Sequence, residues 1–599
     1  MSVLEGINVS TDVQKLNIKE LASLSNELRE RILSVTNNNG GHLASNLGII
    51  ETTVSLYKCF DFSKDKIIFD VGHQCYAYKI LSDRKDRFDS IRKDGGISGF
   101  PDVSESKYDA FTSGHAGTSI AAGIGYCEAR DKLGEDYTVI SVVGDAALTN
   151  GLNLEALSVK ANKPKNFIVL LNDNGMSISK NVNGLYQYLS KGTTNSSYVK
   201  SKKLVKKIFG SSFITRWLAG VRNFIKRLVG QTNYFETHGF KYVGVVDGHD
   251  VKRLVKMINR VKSMAKDKAV FLHVKTTKGK GFDEAELRAD LYHGVGAQLK
   301  NECGEFSKEL GKTLNELMEK NDKIIAITAG MKDGTGLCTV EKEHPHNFVD
   351  VGIAEEYAIT SAAGMAAGGL KPVVAIYSTF MQRCYDQIVH DVCLQNLPVV
   401  LCMDRAGVVG SDGCTHQGVF DISYLMHVPN IKIFAPTSIS EFSKMLEYAI
   451  SLNCPVAIRY PKNSCVDNKE ESFDGESWQT VVEGNKVTIL AVGPRMLELA
   501  LKVKNEINEV RVISARIVKP LDEKTLEYIR GTTIVTLEEN SLIGGFGYAV
   551  NGYYASTGKF EKVLNFGIQD SFVRHGSVQK QFEDNGLTVH NIISKLNLQ

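Results

Sequence analysis

Two polar interruptions of apolar runs, "SVVGDAALTNG" from Ser141 and "LLNDNGMSIS" from Leu170, carry the residue types from which a metal and phosphate site is made. Asp145 and Asn174 are hard oxygen donors 29 residues apart. That spacing fits a strand, a crossover helix and the neighbouring parallel strand. Ligands of open parallel sheets bind beyond the carboxyl ends of the strands, so the carboxylate and the amide would reach one edge. With the backbone carbonyl of Met176 they form an incomplete oxygen shell for magnesium, which keeps positions for phosphate oxygens. A diphosphate held through the metal is the natural guest. Each residue also has a plainer reading, Asp145 as a helix cap and Asn174 as a turn residue.

The elements that must position these side chains are short β-branched runs: "KIIFD" at Lys66, "YTVISVVG" at Tyr137, "NFIVLLN" at Asn166 and "AVFLHVKTT" at Ala269. Continuous apolar strands of this kind belong to parallel sheets covered on both faces. The amphipathic "EFSKELGKTLNELMEKNDK" from Glu305 opens a second series, "KIIAITAG", "PVVAIYS", "PVVLCMD" and "PVAIRYP". Polar, acidic "NSCVDNKEESFDGES" from Asn463 reads as a linker, and "KVTILAVG", "VRVISARIV" and "TTIVTLEE" form a third series. The expected fold class is α/β, with three doubly wound, mainly parallel-sheet domains at 1–304, 305–470 and 471–599. A segment near 180–235, rich in Lys and Arg and without Asp or Glu, reads as one or two basic amphipathic helices. It could be a surface insertion, a contact for an anionic membrane or partner, or a lid over an anionic ligand.

Composition narrows the class. The chain has 599 residues, 43% apolar and 23% charged, with a formal charge of +3, so charge favours neither nucleic acid nor a membrane surface. No run approaches the length of a transmembrane segment, and the N-terminus lacks a leader pattern, so a cytoplasmic protein is expected. The eleven Cys are scattered without a CxxC pair, which suits reduced thiols.

The "GD" motif followed about thirty residues later by Asn resembles thiamine-diphosphate enzymes, and "FVDVGIAEEYAIT" supplies the complement. Its Glu355 matches the Glu that such enzymes set against the aminopyrimidine ring. Diphosphate part first and pyrimidine part second is the transketolase-like order. Within that group "GGHLASNLGIIE", "FDVGHQCYAYKIL", "GGISGFP", "TSGHAGTSIAAGIG", "STFMQRCYDQIVHDV", "DRAGVVGSDGCTHQGVFDISYL" and "IRYPK" follow, in order, the pattern of the 1-deoxy-D-xylulose-5-phosphate synthase family. "LEENSLIGGFGYAV" matches the C-terminal part shared by transketolase-like proteins.

The resemblance implies an enzyme that decarboxylates pyruvate and joins the remaining two carbons to D-glyceraldehyde 3-phosphate, using thiamine diphosphate and Mg2+, as a homodimer. It implies Glu355 as the residue that promotes cofactor deprotonation. Of two adjacent helical carboxylates, Glu355 and Glu356, only one should face the cofactor. His42, His293, His416, Asp412 and Tyr377 are implied around the reacting atoms, and Arg383 and Arg459 on the substrate phosphate. His73, Gly114, His115, Ala116, Ala146, Ala147, Asn174, Phe282 and Phe380 are implied as cofactor contacts, and Asp145, Asn174 and Met176 as metal ligands. Taken alone, a His is more often structural, and Phe380 could equally be core.

Two positions depart from the family pattern. Position 146 is usually Gly, and Ala is tolerable there only if φ is negative. Position 357 is commonly His, and Tyr357 cannot titrate near neutrality as imidazole does. Two other functions stay open from sequence: a transketolase-type ketol transferase, and a cofactor-binding paralogue without catalysis.

Overall fold

The computed structural model describes residues 2–159, 162–175, 234–299, 304–462 and 473–597. Its strands form three sheets, and the chain divides into two compact units. One comprises Met1–Ile91 with Gly99–Asn301, the other Arg92–Ser98 with Glu302–Gln599.

Among the described residues the first unit has five parallel strands: β1 (Lys66–Phe69), β2 (Val139–Gly144), β3 (Phe167–Asp173), β4 (Lys241–Asp247) and β5 (Val270–Lys275), in the order β1-β2-β3-β5-β4. β3 is buried at every position and β2 at all but its last, as expected of strands covered on both faces. β4 is different. It is an edge strand with mostly exposed or half-buried residues, and its glycine-interrupted "KYVGVVD" lacks the apolar run that marks the others. Helices flank the sheet with apolar stripes; in Val251–Ala265 the buried residues Val251, Leu254, Ile258, Val261 and Ala265 recur at helical spacing.

The second unit contains two sheets. Strands β6 (Ile324–Thr328), β7 (Phe348–Asp350), β8 (Lys371–Tyr377), β9 (Val400–Asp404), β10 (Lys432–Phe434) and β11 (Val456–Tyr460) are parallel. β12 (Gln479–Val482), β13 (Val487–Ala491) and β14 (Val510–Ser514) belong to the third sheet, with β16 (Thr533–Ser541) and β17 (Val563–Ile568). The stretch "VRVISARIV", which reads as one strand, is in fact two. After β14 the chain turns at Ala515 and Arg516, and β15 (Ile517–Lys519) pairs antiparallel with β10 of the second sheet. Buried Arg516 makes the break, donating to the Ser477 carbonyl and pairing with Glu441. A continuous apolar core runs from Phe306 through Leu401 to Ile513 and Phe546, so the two sheets pack as one body.

The protein is therefore α/β, with mainly parallel sheets. Most of the linker from Asn463, the basic segment up to Asn233, and Met176 lie outside the described residues. Among the described residues no disulfide forms, and no helix is long and apolar enough to cross a membrane.

Candidate active site

Parallel pairing of β2 with β3, with Gly144 opposite Asn172, delivers Asp145 and Asn174 to adjacent strand ends. The Gly175 N–H donates to Asp145 Oδ2 at 2.8 Å and to Asp173 Oδ1 at 3.1 Å, tying the two loops together. Asp145 is buried; burial, and then the neighbouring Asp173 carboxylate, push its carboxyl above the ordinary range. A cation there would remove that penalty. Burial alone would raise Asp173 too, but hydrogen bonds from His273 and Lys275 outweigh it and hold it low. Among the described residues no cluster of three or more His, Cys, Asp or Glu could hold a metal by itself. A cation at Asp145 and Asn174 would complete its shell with backbone, water or phosphate oxygens.

Ala146 answers the question its type raised. Its φ is −69° and ψ −45°, ordinary right-handed backbone that costs an L-residue nothing. It and Ala147 are buried where the chain enters a single turn of 3-10 helix, Ala147–Thr149.

The Gly114, His115 and Ala116 loop precedes the helix Ser119–Leu133. Asp70, just past β1, holds it by accepting from Gly117 N–H at 2.8 Å and Ser119 N–H at 3.0 Å. Asn153 donates to Asp70 at 3.3 Å and to the Ala147 carbonyl at 2.8 Å. One buried carboxylate thus links both loops expected on the cofactor.

His42, His73 and His293 come together, with ring centroids 5.7, 5.6 and 5.3 Å apart for the pairs 42–73, 42–293 and 73–293. Asn46 pins two of their backbones, donating to the carbonyls of His42 (2.6 Å) and His73 (2.7 Å). Desolvation, then Lys278, drive the His293 imidazole well below its ordinary value, so at neutral pH this ring is uncharged.

Lys278 is the residue that sequence reasoning missed in this unit. It is 4% exposed, and burial lowers its ammonium to about 8 against the opposing pull of Asp145 and Asp290. A buried cation within the field of Asp145 suits a phosphate. The loop carrying it and Phe282 is clamped: Thr277 N–H donates to His249 Nε2 (2.8 Å), His249 Nδ1 bonds Glu51 (3.1 Å), and Arg29 pairs with Glu51 and donates to the Lys280 carbonyl (2.8 Å). Phe282 packs edge-on to Tyr292 at 5.5 Å.

In the second unit Glu355 begins the helix Glu355–Ala367 and is 4% exposed, whereas Glu356 is half-buried. Burial, only partly opposed by Arg383, raises the Glu355 carboxyl to about 7. Its Oε2 meets no hydrogen-bond partner among the described residues, with Arg383 Nε 3.8 Å away. Tyr357 points elsewhere, at 64% exposure.

Tyr377 stacks on Phe380 (centroids 5.9 Å), and Phe380 meets His416 edge-on at 5.5 Å. Desolvation lowers His416 while Asp412 opposes it. Asp412 is bound by Arg92 Nη1 at 2.6 Å, and Ser411 Oγ by Arg92 Nη2 at 2.8 Å. Arg405, also unmarked in the sequence, lies over the Tyr377 ring at 3.7 Å. Arg459 is committed by its Nε to both Asp421 oxygens, each at 3.1 Å, and by Nη2 to the Glu539 carbonyl at 3.3 Å.

Residues 4–276 match the family described as 1-deoxy-D-xylulose-5-phosphate synthase, residues 305–466 the transketolase pyrimidine binding domain, and residues 476–592 the transketolase C-terminal domain. The chain is 45% identical to the 1-deoxy-D-xylulose-5-phosphate synthase of Clostridium tetani, over 98% of this chain and 97% of the relative. It is also 45% identical to that of Carboxydothermus hydrogenoformans, over 99% and 98%. A transketolase structure from Campylobacter jejuni is 18% identical, with TM-score 0.43, and covers 98% of this chain and 100% of its own. On the strength of the curated relatives, matched over almost the whole sequence, the chain belongs to the 1-deoxy-D-xylulose-5-phosphate synthase family.

Proposed function

We infer that the protein forms 1-deoxy-D-xylulose 5-phosphate and carbon dioxide from pyruvate and D-glyceraldehyde 3-phosphate, with thiamine diphosphate and Mg2+ as cofactors, acting as a homodimer. The product would feed isoprenoid, thiamine and pyridoxal synthesis. The observation that carries this reading is the buried Glu355 carboxyl, raised to about 7 and with an oxygen that no described donor meets. A carboxyl so placed can share a proton with a ring nitrogen.

Thiamine diphosphate, when bound, supplies the acidic ring carbon and the electron sink for decarboxylation and carbon–carbon bond formation. The residues present fit it. Asp145 and Asn174 would hold the diphosphate through magnesium, together with the Met176 carbonyl. Lys278 would answer the remaining phosphate charge, and the backbone at 114–116 and 146–147 would line it. Phe282 and Phe380 would contact the rings. Glu355 would hold the proton at the pyrimidine nitrogen, with Arg383 keeping its ionised form accessible. His42, His73 and neutral His293 can donate or accept hydrogen bonds near the reacting carbonyls. Tyr377, Asp412 and His416 would orient the aldehyde and its hydroxyls, and Arg383, Arg405 and Arg459 supply cations for its phosphate.

The test is direct. With both cofactors, pyruvate and D-glyceraldehyde 3-phosphate, carbon dioxide and deoxyxylulose phosphate should appear together, and a chelator should stop both until magnesium is restored. Product from xylulose 5-phosphate and an aldose, but not from pyruvate, would assign a ketol transferase instead. Cofactor binding without turnover of either pair would assign a silent paralogue.

A further inference from the structure

The loop carrying Asp412 and His416 is gripped by a part of the chain to which no role has been given. Gln581, on the helix Val578–Asp584, is 2% exposed. Its side-chain amide meets both backbone groups of one residue: Gly410 N–H donates to Gln581 Oε1 at 3.1 Å, and Gln581 Nε2 donates to the Gly410 carbonyl at 2.9 Å. The second Nε2 proton goes to the Arg574 carbonyl at 2.8 Å. The orientation of the amide is therefore fixed, since a flip would set its oxygen against two carbonyls and its NH2 against an N–H. Gly410 has φ +81°, a conformation that favours glycine, and its carbonyl also accepts from Gly413 N–H at 3.3 Å and Gly576 N–H at 3.4 Å.

The same stretch of chain holds the partner of Asp412. The segment Arg92–Ser98 packs with the second unit. There Ser577 N–H donates to Asp94 Oδ1 at 2.7 Å, and His575 Nε2 bonds the Gly96 carbonyl at 3.0 Å. Residues 574–581 thus secure both ends of the Arg92–Asp412 pair, one through Gly410 and the other through Asp94 and Gly96. At the base of the loop, Val409 N–H donates to Gln417 Oε1 at 2.7 Å. Val409 and Gly410 are thus both held where the chain enters the loop that carries Asp412 and His416.

We propose that Gln581 is a positioning residue for the aldehyde acceptor: by fixing Gly410 it sets where Asp412, paired with Arg92, stands, and so sets the affinity for D-glyceraldehyde 3-phosphate. This rests on the acceptor role given above to Asp412 and His416. Gln581 touches no substrate in this scheme, and its effect passes through the loop. A displacement of about 1 Å in a substrate-positioning group is enough to alter turnover or binding by large factors.

The experiment compares the full-length parent with Gln581→Leu, which keeps the volume and loses the amide, and Gln581→Glu, which sets a carboxylate against two carbonyls. Exposed Gln579→Ala on the same helix is the control. KM for D-glyceraldehyde 3-phosphate should rise about tenfold in both Gln581 variants. KM for pyruvate and the thiamine diphosphate dissociation constant should stay within about twofold of the parent, a selectivity that general loosening would not produce. Equal rises in both KM values, or no rise in either, overturn the proposal. Should the variants fail to fold, hydrogen exchange in the parent decides. A strongly protected Gly410 amide supports the grip, and exchange as fast as in an exposed loop refutes it. A parent that makes no deoxyxylulose phosphate refutes the acceptor role and this inference with it, and is told apart because the parent assay comes first.

Discussion

Ala146 and Glu355 show how much one residue's backbone angle or burial decides. At φ −69° the turn after β2 makes no demand for glycine, so Ala146→Gly should only add freedom to the unfolded chain. Urea denaturation is expected to show a loss of about 0.4–1 kcal/mol, with cofactor affinity unchanged. Glu355 is a stricter case, because its burial raises the carboxyl to about 7, where it can both give and take a proton at neutral pH. Glu355→Gln keeps the shape and loses the exchange. Initial rates should fall by roughly 10²–10⁴-fold, while calorimetric cofactor affinity changes far less. Parental turnover in that variant would remove Glu355 from the mechanism. Neither expectation depends on Tyr357, which the structure leaves mostly exposed.

Between elements, the connections are made by buried polar side chains rather than by the strands themselves. Asp70 accepts from Gly117, Ser119 and Asn153, so it binds the helix Ser119–Leu133 to the loop after β2. Replacing it by Asn puts an NH2 against one of these donors and leaves a buried N–H without an acceptor, a cost of about 1–3 kcal/mol. Asp70→Asn is expected to lower the melting temperature and to weaken cofactor binding about tenfold, read by calorimetry. Unchanged affinity would mean that the two loops are set independently. The clamp of Arg29, Glu51 and His249 on the Lys278 loop follows the same pattern of a polar group fixing backbone rather than touching ligand.

Across the molecule, the buried carboxyls make stability depend on pH. Glu538 accepts from Phe546 N–H and Gly547 N–H, both at 2.8 Å, yet its burial raises it from the ordinary 4.5 to about 7. The folded protein keeps this proton where the unfolded chain has lost it. The contribution is therefore full below pH 4.5, declines as pH rises, and is gone above about 7, a change of about 3 kcal/mol. Glu538→Gln cannot ionise. Between pH 5 and 8 its unfolding free energy should gain on the parent by up to that amount, whatever its offset at pH 5. Parallel pH profiles in denaturation series would contradict this. The same contrast between pattern and burial explains what the sequence disclosed. Asp145 and Asn174 stand where apolar strands stop, so their neighbours announce them, and β1, β2, β3 and β5 announce themselves. Lys278 is one of three closely spaced lysines and Arg405 directly follows an apolar strand, so neither pattern marks a site; only 4% exposure and a ring 3.7 Å away single them out. β4 and β15 stayed hidden because one is an exposed edge and the other a three-residue strand that changes sheets. Finally, the seven residues Arg92–Ser98 are encoded within the first unit but fold with the second. Cutting the gene near codon 301 would leave Arg92 on one fragment and Asp412, its ion-pair partner, on the other. A chimera joined there therefore keeps this ion pair only when the segment from one parent still matches the second half from the other.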